Sequence, residues 1–149
     1  MKYALDTNIF IDSFRTETAA SALLTFLERG LPFTFMSAVV MQELAAGART
    51  PAQARALERL VFGPFERRDR VFAPSADAFM KSGRLLAAVA GREGWVAMHE
   101  HPSLLNDALL ASSCRERGIT LITKDRDFDR FLPFLGGWRH VEPWPSPGH

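Results

Sequence analysis

LDTNIFID (residues 5–12) is the stretch from which the rest of this chain can be organised. Lys2-Tyr3-Ala4-Leu5 has the character of a short buried strand, and it runs directly into Asp6-Thr7-Asn8. A turn accounts for one polar residue there. An acid at the end of a core strand, followed by the apolar Ile9, Phe10 and Ile11, needs a stronger cause, because a buried carboxylate is costly unless something pairs with it.

Outward from that stretch, the pattern predicts a strand over 2–6, a short helix over 9–15 and a helix over 18–29. A strand over 33–36 follows Leu31-Pro32, then a helix over 38–47 that Gly47 helps to end. Thr50-Pro51 opens a new helix, with Thr50 as N-cap and Pro51 at the first helical position. Ala54, Leu57, Leu60 and Val61 give it an apolar face, and Gly63-Pro64 is expected to stop it. A strand near 70–73 precedes Pro74-Ser75 and a long helix with Phe79, Gly83, Leu86, Ala87 and Ala90 on its apolar side. Residues 91–102, GREGWVAMHEHP, read as a loop. Ser103 caps a helix to about 117, Gly118 ends it, and Ile119-Thr120-Leu121-Ile122 is a buried strand. A short amphipathic turn with Phe128, Phe131 and Leu132 leads to a last strand near 139–142. The expected organisation is one domain over 1–142 with a flexible C-terminal tail, 143–149.

Strands alternating with helices imply an α/β fold whose parallel sheet is covered on both faces. Ligands in such sheets bind in the crevice beyond the carboxyl ends of the strands. Asp6 lies there, and so does Asp125, which follows the strand 119–122 through Thr123-Lys124.

The totals fit one ordinary globular domain: 149 residues, 47% hydrophobic and 23% charged. Nothing approaches the roughly 18 consecutive apolar residues of a membrane span, and the first residues show no signal-peptide pattern. No membrane association and a cytoplasmic location are the expectations. Cys114 is the single cysteine, which leaves no intrachain disulfide and no cysteine-based zinc site. It sits among Leu110, Ala111 and Gly118 and is expected to be a small buried filler. A net charge of +1 neither demands nor excludes a polyanionic partner, so any nucleic-acid contact must come from a local patch.

Two further acids sit on apolar helix faces. Glu43 has Val39 and Val40 one turn before it and Ala46 and Gly47 one turn after. Asp107 has Leu110 and Ala111 ahead of it and Cys114 beyond, away from the charged Arg115, Glu116 and Arg117. Each acid alone has a plain structural account. Asp6 could cap a helix, Asp107 could favour a helix dipole, Asp125 could start the turn Asp125-Arg126-Asp127-Phe128, and Glu43 could bond a backbone group. Together, with no basic partner at matching positions, Asp6, Glu43, Asp107 and Asp125 are most economically explained by a shared cation. An all-oxygen, carboxylate-rich set suits Mg²⁺ or Mn²⁺, and an open acidic crevice points to phosphate-ester chemistry.

These segments resemble the PIN-domain ribonucleases. LDTNIFID is similar to the family's opening strand and first acid, SAVVMQELAAG to its second, NDALLAS to its third and LITKDRDF to its fourth, in the family's order and over nearly the whole chain. The compact length is most similar to the VapC-type toxins of bacterial type II toxin–antitoxin pairs. The resemblance implies a three-layer α/β/α sandwich around a parallel sheet of four or five strands. It implies Asp6, Glu43, Asp107 and Asp125 as catalytic, metal-binding acids, with Thr7, Asn8, Thr123 and the less regular Asp127 in support. It also implies Mg²⁺- or Mn²⁺-dependent endonucleolytic cleavage of RNA leaving a 5′-phosphate and a 3′-hydroxyl, a homodimer, and inhibition by a cognate antitoxin. Nucleases of this family acting on DNA or in rRNA processing, and a catalytically silent protein-binding member, are the alternatives.

The RNA backbone would be drawn by basic residues near the groove: Lys124, Arg126 and Arg130 after the fourth strand, and Arg84, Lys81 or Arg92 on the long helix. His99-Glu100-His101 is no zincin motif, which needs histidines four apart on a helix, and a loop at the rim is expected instead. Trp95 could stack on a base or cap the core. A haloacid-dehalogenase phosphatase would want a second Asp two residues after the first, where this chain has Asn8. The adjacent acids and late lysine of a response-regulator receiver are not well placed either.

Overall fold

The strand Ile119–Ile122 is buried at all of its positions. Since successive strand side chains point to opposite faces, such a strand lies in a sheet covered on both sides. The computed structural model, which describes residues 1–146, has that arrangement. Five strands, β1 (Lys2–Leu5), β2 (Thr34–Ser37), β3 (Val71–Phe72), β4 (Ile119–Ile122) and β5 (His140–Val141), form one parallel sheet in the order β3-β2-β1-β4-β5. In β1, Tyr3 pairs with Thr34 of β2 on one side and Thr120 of β4 on the other. The helices complete a three-layer α/β/α sandwich: α1 (Thr7–Arg15) packs with α2 (Glu17–Gly30), and α6 (Ala76–Glu93) with α8 (Leu104–Arg117).

Strand order reverses at β1, with β2 and β3 to one side and β4 and β5 to the other. The carboxyl ends of β1 and β4 therefore flank the switch point where open α/β sheets take their ligands. The pairing continues into the site, because the Asp6 N–H donates to the Ile122 carbonyl at 3.0 Å and the Thr123 N–H to the Val141 carbonyl at 3.0 Å.

Several boundaries differ from the sequence reading. α1 begins at Thr7, since Asp6 supplies its cap. The helix opened by Thr50-Pro51, α4 (Pro51–Ala56), passes without a stop through a wide π turn, Leu57–Phe62, into α5 (Gly63–Glu66). The wide turn gives the Pro64 ring room within a continuous helix. Gly63 suits the close packing there: a Cβ would stand 3.0 Å from the Glu58 carbonyl oxygen and 2.8 Å from the Arg67 guanidinium, so both would have to give.

α6 turns inward a side rotated from the expected one: Ala90 is buried and Leu86 packs partly against the core as expected, but the rest of the stripe differs. Ala78, Ser82, Leu85 and Val89 are buried against the body, whereas Phe79 is 57% exposed and Gly83 and Ala87 face outward. Both stripes are apolar or small, so the helix's own pattern does not choose between them, and packing against α8 decides. Residues 91–102 are not a loop: α6 runs to Glu93 and α7 spans Trp95–Glu100, with Trp95 exposed. α3 (Ala38–Ala46) ends at Gly47, and Gly118 closes α8 in the left-handed conformation, φ 66°. Trp144 stacks on Phe26 at 4.9 Å between ring centroids. Residues 147–149 of the expected tail lie outside the described residues.

Candidate active site

Asp6 leaves β1 at the switch point and caps α1. Its Oδ1 accepts the Thr7 N–H at 2.8 Å and its Oδ2 accepts the Thr123 hydroxyl at 2.7 Å. Burial, at 6% exposure, outweighs both bonds, and with Glu43 and Asp125 adding negative charge the carboxyl is pushed up to about 6.

Glu43 reaches the same place from α3. Its Oε1 accepts the Thr7 hydroxyl at 3.1 Å, and burial raises its carboxyl above the usual range against that bond. Thr7 thus bonds two of the acids at once, one through its backbone and one through its side chain.

Asp125 begins the 3₁₀ turn Arg126–Phe131, its Oδ1 accepting the Asp127 N–H at 2.8 Å. Its own N–H donates to Thr123 Oγ1 at 2.9 Å, and Asn8 Nδ2 approaches the same oxygen at 3.4 Å. One fully enclosed threonine hydroxyl therefore ties the end of β4 to the end of β1.

Asp107 lies in the first turn of α8, 8% exposed. Its Oδ2 is buried with no hydrogen-bond partner. Burial, then the charges of Asp6, Asp125, Glu43 and Asp127, push this carboxyl up to about 8. The plain structural roles are real, since Asp6 does cap a helix and Asp125 does start a turn. They leave Asp107 unexplained, because a buried oxygen without a partner among other acids is a net cost to the fold.

Asp6, Glu43, Asp107 and Asp125 thus gather close enough that the others' charges act on Asp107, and those of Glu43 and Asp125 on Asp6. Among the described residues, however, no three His, Cys, Asp or Glu side chains are drawn close enough to form a ready metal cage. The donor set still fits a hard divalent cation. It is all oxygen, Asp107 Oδ2 is unsatisfied, and Mg²⁺ is ordinarily held by one or two carboxylates, with waters and substrate phosphate completing the shell. Cys114, whose thiol burial pushes well above its usual range, is a fully buried filler in the core.

Thr7, Asn8 and Thr123 are linked to these acids by the hydrogen bonds above, and the Asp127 N–H bonds Asp125. The basic residues are more dispersed. Lys124 is held by Asp12 of α1 at 2.6 Å. Arg126 is 81% exposed beside Asp129, and Arg130 is 23% exposed among acids. Arg84 and Arg92 are exposed on α6, where Lys81 pairs with Asp77. His101 joins Arg130 and Asp127, while His99 is exposed. Two participants had no sequence signal. Asp12 and Glu93 hold Lys124 and Arg130 from distant elements, contacts that no local spacing announces.

The family model described as PIN domain matches residues 3–131. No curated protein sequence matches the chain. Among solved structures, it superposes on a chain of DNA-bound VapBC from Salmonella typhimurium with a TM-score of 0.70 and 21% identity, covering 95% of this chain and 98% of that one. A chain of VapBC2 from Rickettsia felis, bound to a promoter DNA fragment, gives 0.65 and 19% identity over 97% and 100%. A chain of VapBC-1 from nontypeable Haemophilus influenzae gives 0.58 and 20% over 94% and 98%. At these identities the likeness is one of fold.

Proposed function

The chain belongs to the PIN-domain family, and from that premise we propose that it is a Mg²⁺- or Mn²⁺-dependent endoribonuclease, the toxin of a toxin–antitoxin pair. The observation that carries the reading is Asp107: a buried carboxylate with an unpartnered oxygen, facing other acids across the switch point. That arrangement asks for a cation, at the carboxyl ends of the strands, where such sheets take their ligands.

Asp6, Asp107 and Asp125 would hold the cation, with Glu43 as a further ligand or as an acceptor that orients the attacking water. A cation held there would supply Lewis acidity, lowering the pKa of water and offsetting charge on the scissile phosphate. The chain's own work is positional. Thr123 fixes Asp6 and the start of the Asp125 turn, and Thr7 fixes Asp6 relative to Glu43. Exposed Arg126 is the member of the β4 loop best placed to meet phosphate. The similar VapBC and other toxin–antitoxin complexes support a cognate antitoxin as partner, and we extend the reading to a homodimer acting in the cytoplasm. No helix of the described residues is long and apolar enough to cross a membrane.

Single-stranded RNA, tRNA and DNA incubated with the protein and Mg²⁺ or Mn²⁺ test this. RNA should be cut, EDTA should stop the reaction, and Asp6→Asn and Asp107→Asn should each lose at least about 100-fold in rate, the scale on which a group central to transition-state stabilisation acts. Undiminished cleavage by both variants would end the proposal, and preferential cleavage of DNA would move the chain to another branch of the family.

A further inference from the structure

We propose that Arg130 is a positioning residue for the acidic site and not a contact for RNA: it clamps the segment that carries Asp125 and Asp127 to the end of α6 and to His101. The proposal rests on reading that site as a metal centre.

The guanidinium is engaged on three sides. Nη1 lies 3.3 Å from Glu93 Oε2 at the end of α6. Nε lies 3.6 Å from Asp127 Oδ1 on its own 3₁₀ turn. Nη2 lies 3.2 Å from His101 Nε2, between α7 and α8. Each nitrogen thus addresses a different element, a use of the rigid planar fork that a lysine ammonium cannot reproduce. At 23% side-chain exposure, against 81% for Arg126, Arg130 is enclosed where a phosphate contact would be presented.

The chemistry of the donors orders the cluster further. Arginine donates and never accepts, so His101 Nε2 is the acceptor and its ring proton sits on Nδ1. That nitrogen faces Asp127 Oδ2 at 3.9 Å. Asp127 in turn donates its backbone N–H to Asp125 Oδ1 at 2.8 Å. Displacing the clamp therefore moves the acid of the β4 loop through one hydrogen bond. The far side of the same loop is held by Lys124 on Asp12, so the loop is restrained at both ends and the two basic residues are occupied in doing it.

Electrostatics and positioning predict opposite results for Arg130→Ala, which makes the clamp testable without turnover. By charge alone, losing Arg130 makes the site more negative and tightens a cation, while losing the Glu93 charge loosens it. A clamp loosens in both cases. Mn²⁺ affinity is measured by calorimetric titration on the wild type, Arg130→Ala, Arg130→Lys and Glu93→Gln, with hydrogen–deuterium exchange followed over residues 124–131. All three variants should bind Mn²⁺ about ten-fold more weakly, the scale of a lost outer-shell partner, and should exchange faster over that segment. The salt dependence of RNA binding should keep its slope. Should the Arg130→Ala chain not fold, Arg130→Lys, which keeps the charge, and the exchange of Glu93→Gln over residues 124–131 keep the test open.

Mn²⁺ binding by Arg130→Ala as tight as the wild type's, with unchanged exchange, would overturn the clamp. So would recovery by Arg130→Lys together with a shallower salt dependence, the mark of a phosphate contact. A wild-type protein that binds no Mn²⁺ would remove the metal reading. Exchange alone then decides the clamp: lost protection in Arg130→Ala and Glu93→Gln retains it, and unchanged protection removes it.

Discussion

Asp107 concentrates the conflict on which the site is built. A carboxyl pushed from 3.8 to about 8 in the folded chain binds its proton more tightly folded than unfolded. Its contribution to stability is therefore fully present below about pH 4 and is lost as pH rises towards 8. Asp6, pushed to about 6, acts in the same direction over a narrower window. Asp107→Asn removes the larger effect. Without metal, the variant should melt close to the wild type below pH 4 and progressively higher than it as pH rises, the gap levelling above pH 8. A tenfold change in proton affinity corresponds to about 1.4 kcal/mol, so a shift of this size should open a gap on the order of ten degrees at pH 8, at about 2–4 °C per kcal/mol in a domain of this size. Thermal melts across pH check it, and a wild type that melts above the variant at pH 8 would contradict it.

Elements bring the acids together through their ends, and the junction of β1 with β4 depends on one hydroxyl. Thr123 Oγ1 donates to Asp6 and accepts from the Asp125 N–H. Thr123→Val keeps the shape and removes both bonds. Mn²⁺ affinity should fall about ten-fold or more while the fold is kept, and Thr123→Ser should recover most of the loss; equal affinity in the valine variant would show the junction to be unnecessary. The same scale shows what the sequence could convey. Thr50-Pro51 is legible because capping is local, and Thr50 Oγ1 does accept the Gln53 N–H at 3.1 Å. Gly118 is legible because an αL stop is best met by glycine. The inward face of α6 is not, since Phe79 and Leu85 lie on different apolar stripes and only the neighbouring α8 decides between them. α7 leaves no mark in the sequence because six residues between Gly94 and Pro102 are too short for a periodicity to stand out.

At the scale of the whole molecule, the parallel sheet and its switch point can be inferred from alternating strands and helices, and Asp6 and Asp125 from their places after β1 and β4. Glu43 and Asp107 are legible as acids on apolar faces. Their gathering follows from topology: Thr123 and Asp6 are 117 residues apart in sequence and 2.7 Å apart in space. The partners of Lys124 and Arg130 are illegible for the same reason, because Asp12 and Glu93 reach them only once the chain has folded. The central claim is that distant carboxylates share one divalent ion at this edge of the sheet. Anomalous diffraction from crystals soaked in Mn²⁺ tests it most directly. The account predicts a peak among Asp6, Glu43, Asp107 and Asp125, lost in Asp107→Asn; Mn²⁺ bound only elsewhere, or a peak unchanged in that variant, would contradict it.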